Sequence, residues 1–281
     1  MEGVRNMMTF NFVVRNMPHR GIVQLYASVY DDGQTIDTVR MVRIKRREEN
    51  SQSYITIAIG GHWNQHPVRE FVLEHNDFLC RNDTNYVYVA EWYPLSTNSN
   101  EQSPIHTEEV TIKSEFNLLV ISDFNNTYRT PLNVSAINTT LIRPYSTNVP
   151  IYTQKPSYYC NTAVSYEEGT CKGIWLQMFD CQDPSAWEGN FRLAENYKYR
   201  RQFKDWLVKG NAKIIKNIMG EMWMVGIKTD SISDNSLFDS AEIEGARQIE
   251  FGWFEVGDPE NEKDLYYNGL INVSSDDWSG Q

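Results

Sequence analysis

The chain has 281 residues, of which 41% are hydrophobic, 13% aromatic and 22% charged. It is too aromatic for a disordered chain, and it has no run of the roughly 20 apolar residues that a membrane-spanning helix requires. A disordered protein and a helical membrane protein are therefore both excluded. The net charge of -11 arises in residues 229–281, which hold 13 acidic side chains against two basic ones, whereas residues 1–228 are balanced. Without a net basic face, recognition of nucleic acid is not expected.

The first third of the chain predicts β-structure. Phe10, Phe12 and Val14 occupy every second position, which is the period of a strand with one buried face. Further runs rich in β-branched and aromatic residues are separated by turn residues, and they cover residues 22–30, 38–46, 54–59 and 86–93. Short strands at this spacing predict a β-sandwich over residues 1–95.

A polar segment divides the chain. Residues 94–107 carry a proline near each end and show no periodicity, which predicts a linker or a long loop. Strand patterns resume at residues 110–113 and 118–122. The prediction is therefore a mainly β protein with two β-sandwich-like domains, residues 1–95 and residues 96–281.

The second domain contains one predicted amphipathic helix, over residues 196–208. Four apolar residues recur at the spacing of a single helical face: Tyr199, Phe203, Trp206 and Leu207. Gly210 follows where a C-terminal cap is expected. Apolar runs separated by a glycine-containing loop then predict a β-hairpin over residues 212–216 and 222–227, and a further strand is predicted over residues 249–256.

Motifs for catalysis and metal binding are weak. No nucleophile elbow, zinc-protease motif or phosphate-binding loop is present, so no enzymatic activity and no cofactor are predicted. His62 and His66 stand four residues apart, but flanking glycines and a proline favour a loop, in which this spacing has little meaning. A zinc site is conceivable for three cysteines that lie close together in the sequence, Cys160, Cys171 and Cys181. The favoured alternative is that they are reduced and pack as small hydrophobic residues.

Basic residues are concentrated in residues 192–216, which hold eight Lys or Arg against two acidic residues, and the acidic segment 229–281 follows. Two patches of opposite charge on one chain can join copies of that chain in a head-to-tail ring. The alternatives are that the patches face each other within one fold or are solvated. Reversing the charges of Arg200 and Lys204 is expected to weaken assembly at low salt. The candidate subunit-contact residues are Arg200, Arg201, Lys204, Lys209, Glu255 and Asp258.

In residues 201–216 and 220–225, a predicted helix ending in Trp-Leu-x-x-Gly leads into a Lys-rich hairpin. This pattern resembles one in tail structural proteins of tailed bacteriophages that infect Gram-positive and gut bacteria. Residues 251–258 and 264–271 are similar to the closing segment of such proteins, and a weaker similarity covers residues 110–128, where Phe116 and Asp123 match a strand pair. The N-terminal sandwich resembles immunoglobulin or fibronectin-type modules.

The resemblance implies a β-rich ring near the distal tail or baseplate and no catalytic residues. The predicted function is that of a non-enzymatic virion structural protein, assembled in the host cytoplasm. Its predicted partners are copies of itself and the tube, hub and adsorption proteins of the tail, without membrane insertion. The alternative is a carbohydrate- or receptor-binding module that uses exposed aromatic residues such as Trp63 or Trp92. A polysaccharide-cleaving enzyme is the third hypothesis.

Overall fold

The computed structural model describes residues 8–31, 39–61, 70–94, 103–131, 135–148, 157–160, 165–175, 193–236 and 247–271. The strands and helices of these residues are, in chain order, β1 (Met8–Met17), β2 (Ile22–Asp31), β3 (Val39–Glu48), β4 (Ile55–Gly61), β5 (Glu70–Asp77), β6 (Thr84–Pro94), β7 (His106–Ser114), β8 (Leu118–Ser122), β9 (Thr127–Pro131), β10 (Ala136–Ile142), β11 (Tyr145–Asn148), β12 (Ser157–Cys160), β13 (Tyr166–Ile174), α1 (Leu193–Leu207), β14 (Lys213–Lys216), β15 (Met222–Ser236), β16 (Arg247–Gly257) and α2 (Glu262–Tyr267). The mainly β prediction is confirmed.

The first seven strands form two antiparallel sheets that share one hydrophobic core. The three-stranded sheet has the order β1-β2-β5, and the four-stranded sheet has the order β4-β3-β6-β7. Every second residue faces the core, so that Leu25 and Ala27 of one sheet are buried in the same cluster as Val42 and Ile44 of the other. Burial of this apolar surface is the main term that stabilises the unit.

The strand after the predicted linker belongs to this first unit. β7 pairs with β6 from Ser114 opposite Thr84 to His106 opposite Trp92. The first unit therefore extends to Ser114 and does not end at residue 95. Because a polar, proline-containing segment suits a connection between paired strands as well as a linker between domains, only the strand pairing distinguishes the two.

The second half of the chain builds a seven-stranded sheet with the order β10-β13-β16-β15-β14-β8-β9. This sheet curls until β9 contacts β13, where the Thr130 hydroxyl donates a hydrogen bond to the Ile174 carbonyl at 2.8 Å. Gly173 permits the close approach, since a Cβ atom at that position would lie 2.7 Å from the methyl carbon of Thr130. The curled sheet provides the apolar surface on which the helix packs.

The predicted amphipathic helix is confirmed as α1. Phe203, Trp206 and Leu207 are buried in one cluster with residues of β8, β13, β14, β15 and β16. The Phe203 ring stacks on Trp175 with centroids 4.3 Å apart, and the Trp206 indole N–H donates to Asp123 Oδ2 at 2.5 Å.

The predicted hairpin is confirmed as β14–β15, with Gly220 at a positive φ of 79° in its turn. The last predicted strand is confirmed as β16. No helix of the described residues is both long and apolar enough to cross a membrane.

The two units meet through a second buried cluster. Phe78 and Leu79, which follow β5, pack with Ile214 of β14 and Met222 of β15. Lys216 crosses the same interface, where its buried Nζ donates to the carbonyl oxygens of Phe78 at 2.8 Å and Cys80 at 2.9 Å. The hairpin β14–β15 is therefore tied directly to the N-terminal unit.

A tight contact holds β10 to the edge of the seven-stranded sheet. A Cβ atom on Gly169 of β13 would lie 1.8 Å from the backbone oxygen of Asn138 in β10, a distance at which one strand must move. Gly169→Ala is therefore expected to separate β10 and to accelerate amide hydrogen exchange in residues 136–142 by about tenfold or more. Gly210→Ala is the matched control, because nothing lies within 4 Å of its added Cβ. Equal protection of residues 136–142 in both variants would contradict the prediction.

Candidate functional site

Helix α1 carries an exposed basic face opposite its buried apolar face. Lys198 and Arg201 of the helix and Lys209 just beyond it define this face, and all three side chains are exposed. The exposed Asp205 lies between Arg201 and Lys209 on the same side of the helix, and the face remains net positive. Tyr197 and Val208 beside them are also exposed, at 58% and 50% of their surfaces. Within the described part of the chain, the three basic groups form no ion pair. The basic face thus combines unpaired positive charge with apolar surface on an element that is anchored in the core.

Two other candidate residues of the same helix do not belong to this face. Arg200 is only 6% exposed, and Lys204 Nζ lies 2.6 Å from Asp234 Oδ2 in β15. Arg247, which begins β16, donates from Nε to the other oxygen of Asp234 at 2.8 Å. Asp234 belongs to the acidic C-terminal segment. At this point the basic and acidic regions therefore meet within one chain.

Asp234 is the centre of this ionic contact. Partial burial by itself would raise the pKa of its carboxyl, but the hydrogen bonds from Lys204 and Arg247 outweigh burial and hold the pKa below its ordinary value. The carboxylate is therefore ionised at neutral pH. It links α1 to the paired strands β15 and β16 and helps to fix the position of the basic face.

Lys213 and Lys216 lie at the two ends of β14 and are both buried. Lys213 Nζ donates to the carbonyl oxygens of Lys209 at 3.2 Å and Asn211 at 3.0 Å, and it lies 4.6 Å from the centroid of the Trp206 ring. Burial lowers the pKa of Lys213 to about 8, although the nearby Asp123 carboxylate acts in the opposite direction. These two lysines hold the fold together and do not contribute to a docking surface.

The two acidic candidates lie at the other end of β16. Glu255 accepts a hydrogen bond from the Glu167 backbone N–H at 2.9 Å, and Asp258 accepts one from the Glu260 backbone N–H at 2.9 Å. Asp258 is exposed and Glu255 half-buried, and neither forms an ion pair within the described residues. The structure brings Lys204 together with Asp234, whereas Glu255 and Asp258 keep their negative charges unpaired.

These positions change the choice of residues for a test of assembly. Reversing the charge of Arg200 or Lys204 would place a carboxylate in a buried position or beside Asp234, so it would disturb the fold itself. Arg201 and Lys209 are exposed and unpaired, and charge reversal there leaves the core intact. They are the residues through which an intermolecular contact can be tested.

The cysteines offer no metal cluster in the described part of the chain. Cys80 and Cys171 are buried and free, and burial raises the pKa of the Cys171 thiol well above its ordinary value. No group of three or more potential ligands is found among the described residues. The side chains of Cys160 and Cys181 lie outside the described residues, as do His62 and His66.

The tryptophans proposed as sugar-binding platforms are not available for that role where the structure describes them. Trp92 is fully buried in the core between the first two sheets, where its ring packs against Phe10 at 5.3 Å. The prediction that Trp92 is exposed is wrong, because β3 and β7 flank β6 and the alternation of this strand turns Trp92 inward. Trp63 lies outside the described residues.

Sequence reasoning missed the residues that fix the basic face in place. Asp234 was one of 13 acidic residues in its segment, and nothing in the sequence distinguishes it from the others. Nothing in the sequence indicates that Asp123 accepts the hydrogen bond that anchors Trp206. The one local signal was the pattern Lys213-Ile-Ile-Lys216, in which two lysines flank a short apolar strand.

Comparison with known proteins identifies no relative of this chain. The sequence matches no protein-family model, and a search of curated proteins finds none similar to it. By its architecture the chain is a mainly β protein in which a helix, anchored on a curled sheet, exposes a basic face.

Proposed function

We propose that this chain is a non-enzymatic structural protein of a bacteriophage tail, located in the distal tail or baseplate region. It acts by assembling with copies of itself into a ring and by docking other tail proteins. In this proposal the basic face of one copy contacts the acidic end of β16 in the next copy, and the repeated head-to-tail contact closes the ring.

The separation of unpaired charge is the observation that carries the proposal. Arg201 and Lys209 at the basic face, and Asp258 at the end of β16, are exposed and have no ion-pair partner in the described part of the chain. Charges of opposite sign at two places on one subunit favour a contact between different faces of two copies. A contact between identical faces would bring like charges together.

The arrangement of the phage-like segments supports the same proposal. Helix α1, the hairpin β14–β15 and strand β16 are consecutive in the sequence and share one buried cluster with β8 and β13. Helix α2 follows β16, and its Leu265 is buried with Ile214 and Met222 of the hairpin. The stretches that carry the resemblance thus form one folded unit with two charged ends.

Native mass spectrometry of the full-length protein tests the assembly. A closed oligomer is expected, together with ring-shaped particles in negative-stain micrographs and detection of the chain in purified virions by peptide mass spectrometry. A protein that stays monomeric at high concentration and is missing from purified virions would overturn the proposal.

A further inference from the structure

A cleft on the outer face of the three-stranded sheet is not used by the proposed assembly contact. The cleft has a volume of about 400 Å³, and its walls include Asn11, Val13, Arg15, Gln24, Tyr26 and Glu74. These residues alternate along β1, β2 and β5 with core-facing residues such as Phe12, Val23 and Leu73. Their side chains therefore face away from the core between the two sheets.

The strand register places the polar groups around one aromatic ring. Val13, Tyr26 and Glu74 are direct neighbours across β1, β2 and β5, and Arg15 lies opposite Gln24 in the next row of the same face. Neighbouring strands lie about 4.8 Å apart, so these rows span about 10 Å across the sheet. Tyr26, on the central strand, forms the middle of the cleft.

The polar groups of the cleft are not engaged within the described part of the chain. Arg15 and Glu74 form no ion pair there, and the side chains of Asn11, Gln24 and Tyr26 form no hydrogen bond. Elsewhere in the same unit charges are paired, as in the four-stranded sheet, where Arg43 Nη2 lies 2.7 Å from Glu91 Oε2. The cleft thus offers both donors and acceptors to a ligand.

We propose that this cleft binds a neutral oligosaccharide. The Tyr26 ring provides an apolar surface for the C–H face of a pyranose ring, while the amide, guanidinium and carboxylate groups can donate to and accept from its hydroxyl groups. Arg15 and Glu74 cancel each other in net charge, so a strongly charged polymer of either sign would meet one repulsive group. This inference does not rest on the tail proposal.

Saturation-transfer NMR of the full-length protein tests the cleft with neutral hexasaccharides of glucose, mannose, galactose, rhamnose and N-acetylglucosamine. At least one of them is expected to bind, and Tyr26→Ala is expected to raise its dissociation constant, measured by calorimetry, at least about tenfold. Glu74→Gln is expected to raise it about threefold or more. Because Glu74 is exposed, this variant keeps the test valid if Tyr26→Ala does not fold. Added salt is expected to change the affinity less than about twofold.

Tyr54→Ala is the matched control, since Tyr54 is an exposed tyrosine that contacts Arg47 of the other sheet. It is expected to leave the affinity unchanged. The proposal is overturned if no hexasaccharide binds, if binding survives both Tyr26→Ala and Glu74→Gln, or if polyglutamate competes for the cleft. Native mass spectra of the same preparations report ring assembly separately, so the failure of one proposal can be told from the failure of the other.

Discussion

Replacing Asp77 with asparagine is expected to lower the free energy of unfolding by about 3–5 kcal/mol. In the first unit, Arg46 Nη1 donates to both carboxylate oxygens of Asp77, at 3.0 and 2.9 Å, and both side chains are buried. The Tyr88 hydroxyl and the Leu79 backbone N–H donate to the same carboxylate at 2.7 and 2.8 Å. Asparagine keeps the shape but leaves the guanidinium buried without a counter-charge. Urea unfolding followed by tryptophan fluorescence measures the loss.

Two further variants separate the causes of this loss. Asp83→Asn removes the carboxylate of an exposed pair with Lys113 and is expected to cost less than about 1 kcal/mol. Adding Arg46→Met to Asp77→Asn removes the orphaned charge, so the double variant is expected to regain part of the lost stability. A cost for Asp77→Asn as small as that of Asp83→Asn would show that the buried pair does not stabilise the fold.

The pH dependence of stability follows from the same pair. Burial alone would raise the pKa of Asp77, but Arg46 and the hydrogen bond from Tyr88 hold it below its ordinary value of 3.8. A lowered folded-state pKa gives stability that is present above the unfolded-state value and is lost as pH falls through the folded-state value. The wild-type protein is therefore expected to lose more stability than Asp77→Asn when the pH falls below about 4.

Reversing the charges on one side of the proposed contact is expected to abolish assembly, and reversing those on the other side as well is expected to restore it. Arg201→Glu with Lys209→Glu places negative charge on the basic face, which would repel Glu255 and Asp258 of the next copy. The dissociation constant of the oligomer at low salt is expected to rise at least about tenfold, with a smaller effect at high salt. Adding Glu255→Lys and Asp258→Lys is expected to restore assembly. Analytical ultracentrifugation at two salt concentrations measures both steps.

The control for net charge is Arg15→Glu with Arg143→Glu, two exposed positions outside the basic face that form no ion pair in the described part of the chain. This variant changes the net charge by the same amount and is expected to assemble as the wild type does. Oligomers that are unaffected by the first pair of substitutions would rule out the contact. Glu255 and Asp258 also accept backbone hydrogen bonds, so urea unfolding of the fourfold variant is measured first. If that variant unfolds at the wild-type midpoint and still does not assemble, Glu255 and Asp258 are not the partners of the basic face.

Elements whose signal is local were predictable from the sequence. Helix α1, the hairpin β14–β15 and strand β16 follow from the spacing of apolar residues and from a glycine turn. All three form where they are predicted, although β15 continues to Ser236, beyond its predicted end at residue 227. The mainly β class follows from the alternation in the first third of the chain. Each of these features depends on residues only a few positions apart, which the sequence displays directly.

The tertiary structure alone decided where the charges and aromatic rings are used. Strand pairing placed β7 in the first unit and turned Trp92 into its core, although the sequence suggested a domain linker and an exposed ring. The net charge of -11 did not reveal that Lys204 pairs with Asp234, whereas Arg201 stays free in the described part of the chain. The physical reason is that exposure and ion pairing depend on strands and side chains far apart in sequence, which meet only when the sheets form.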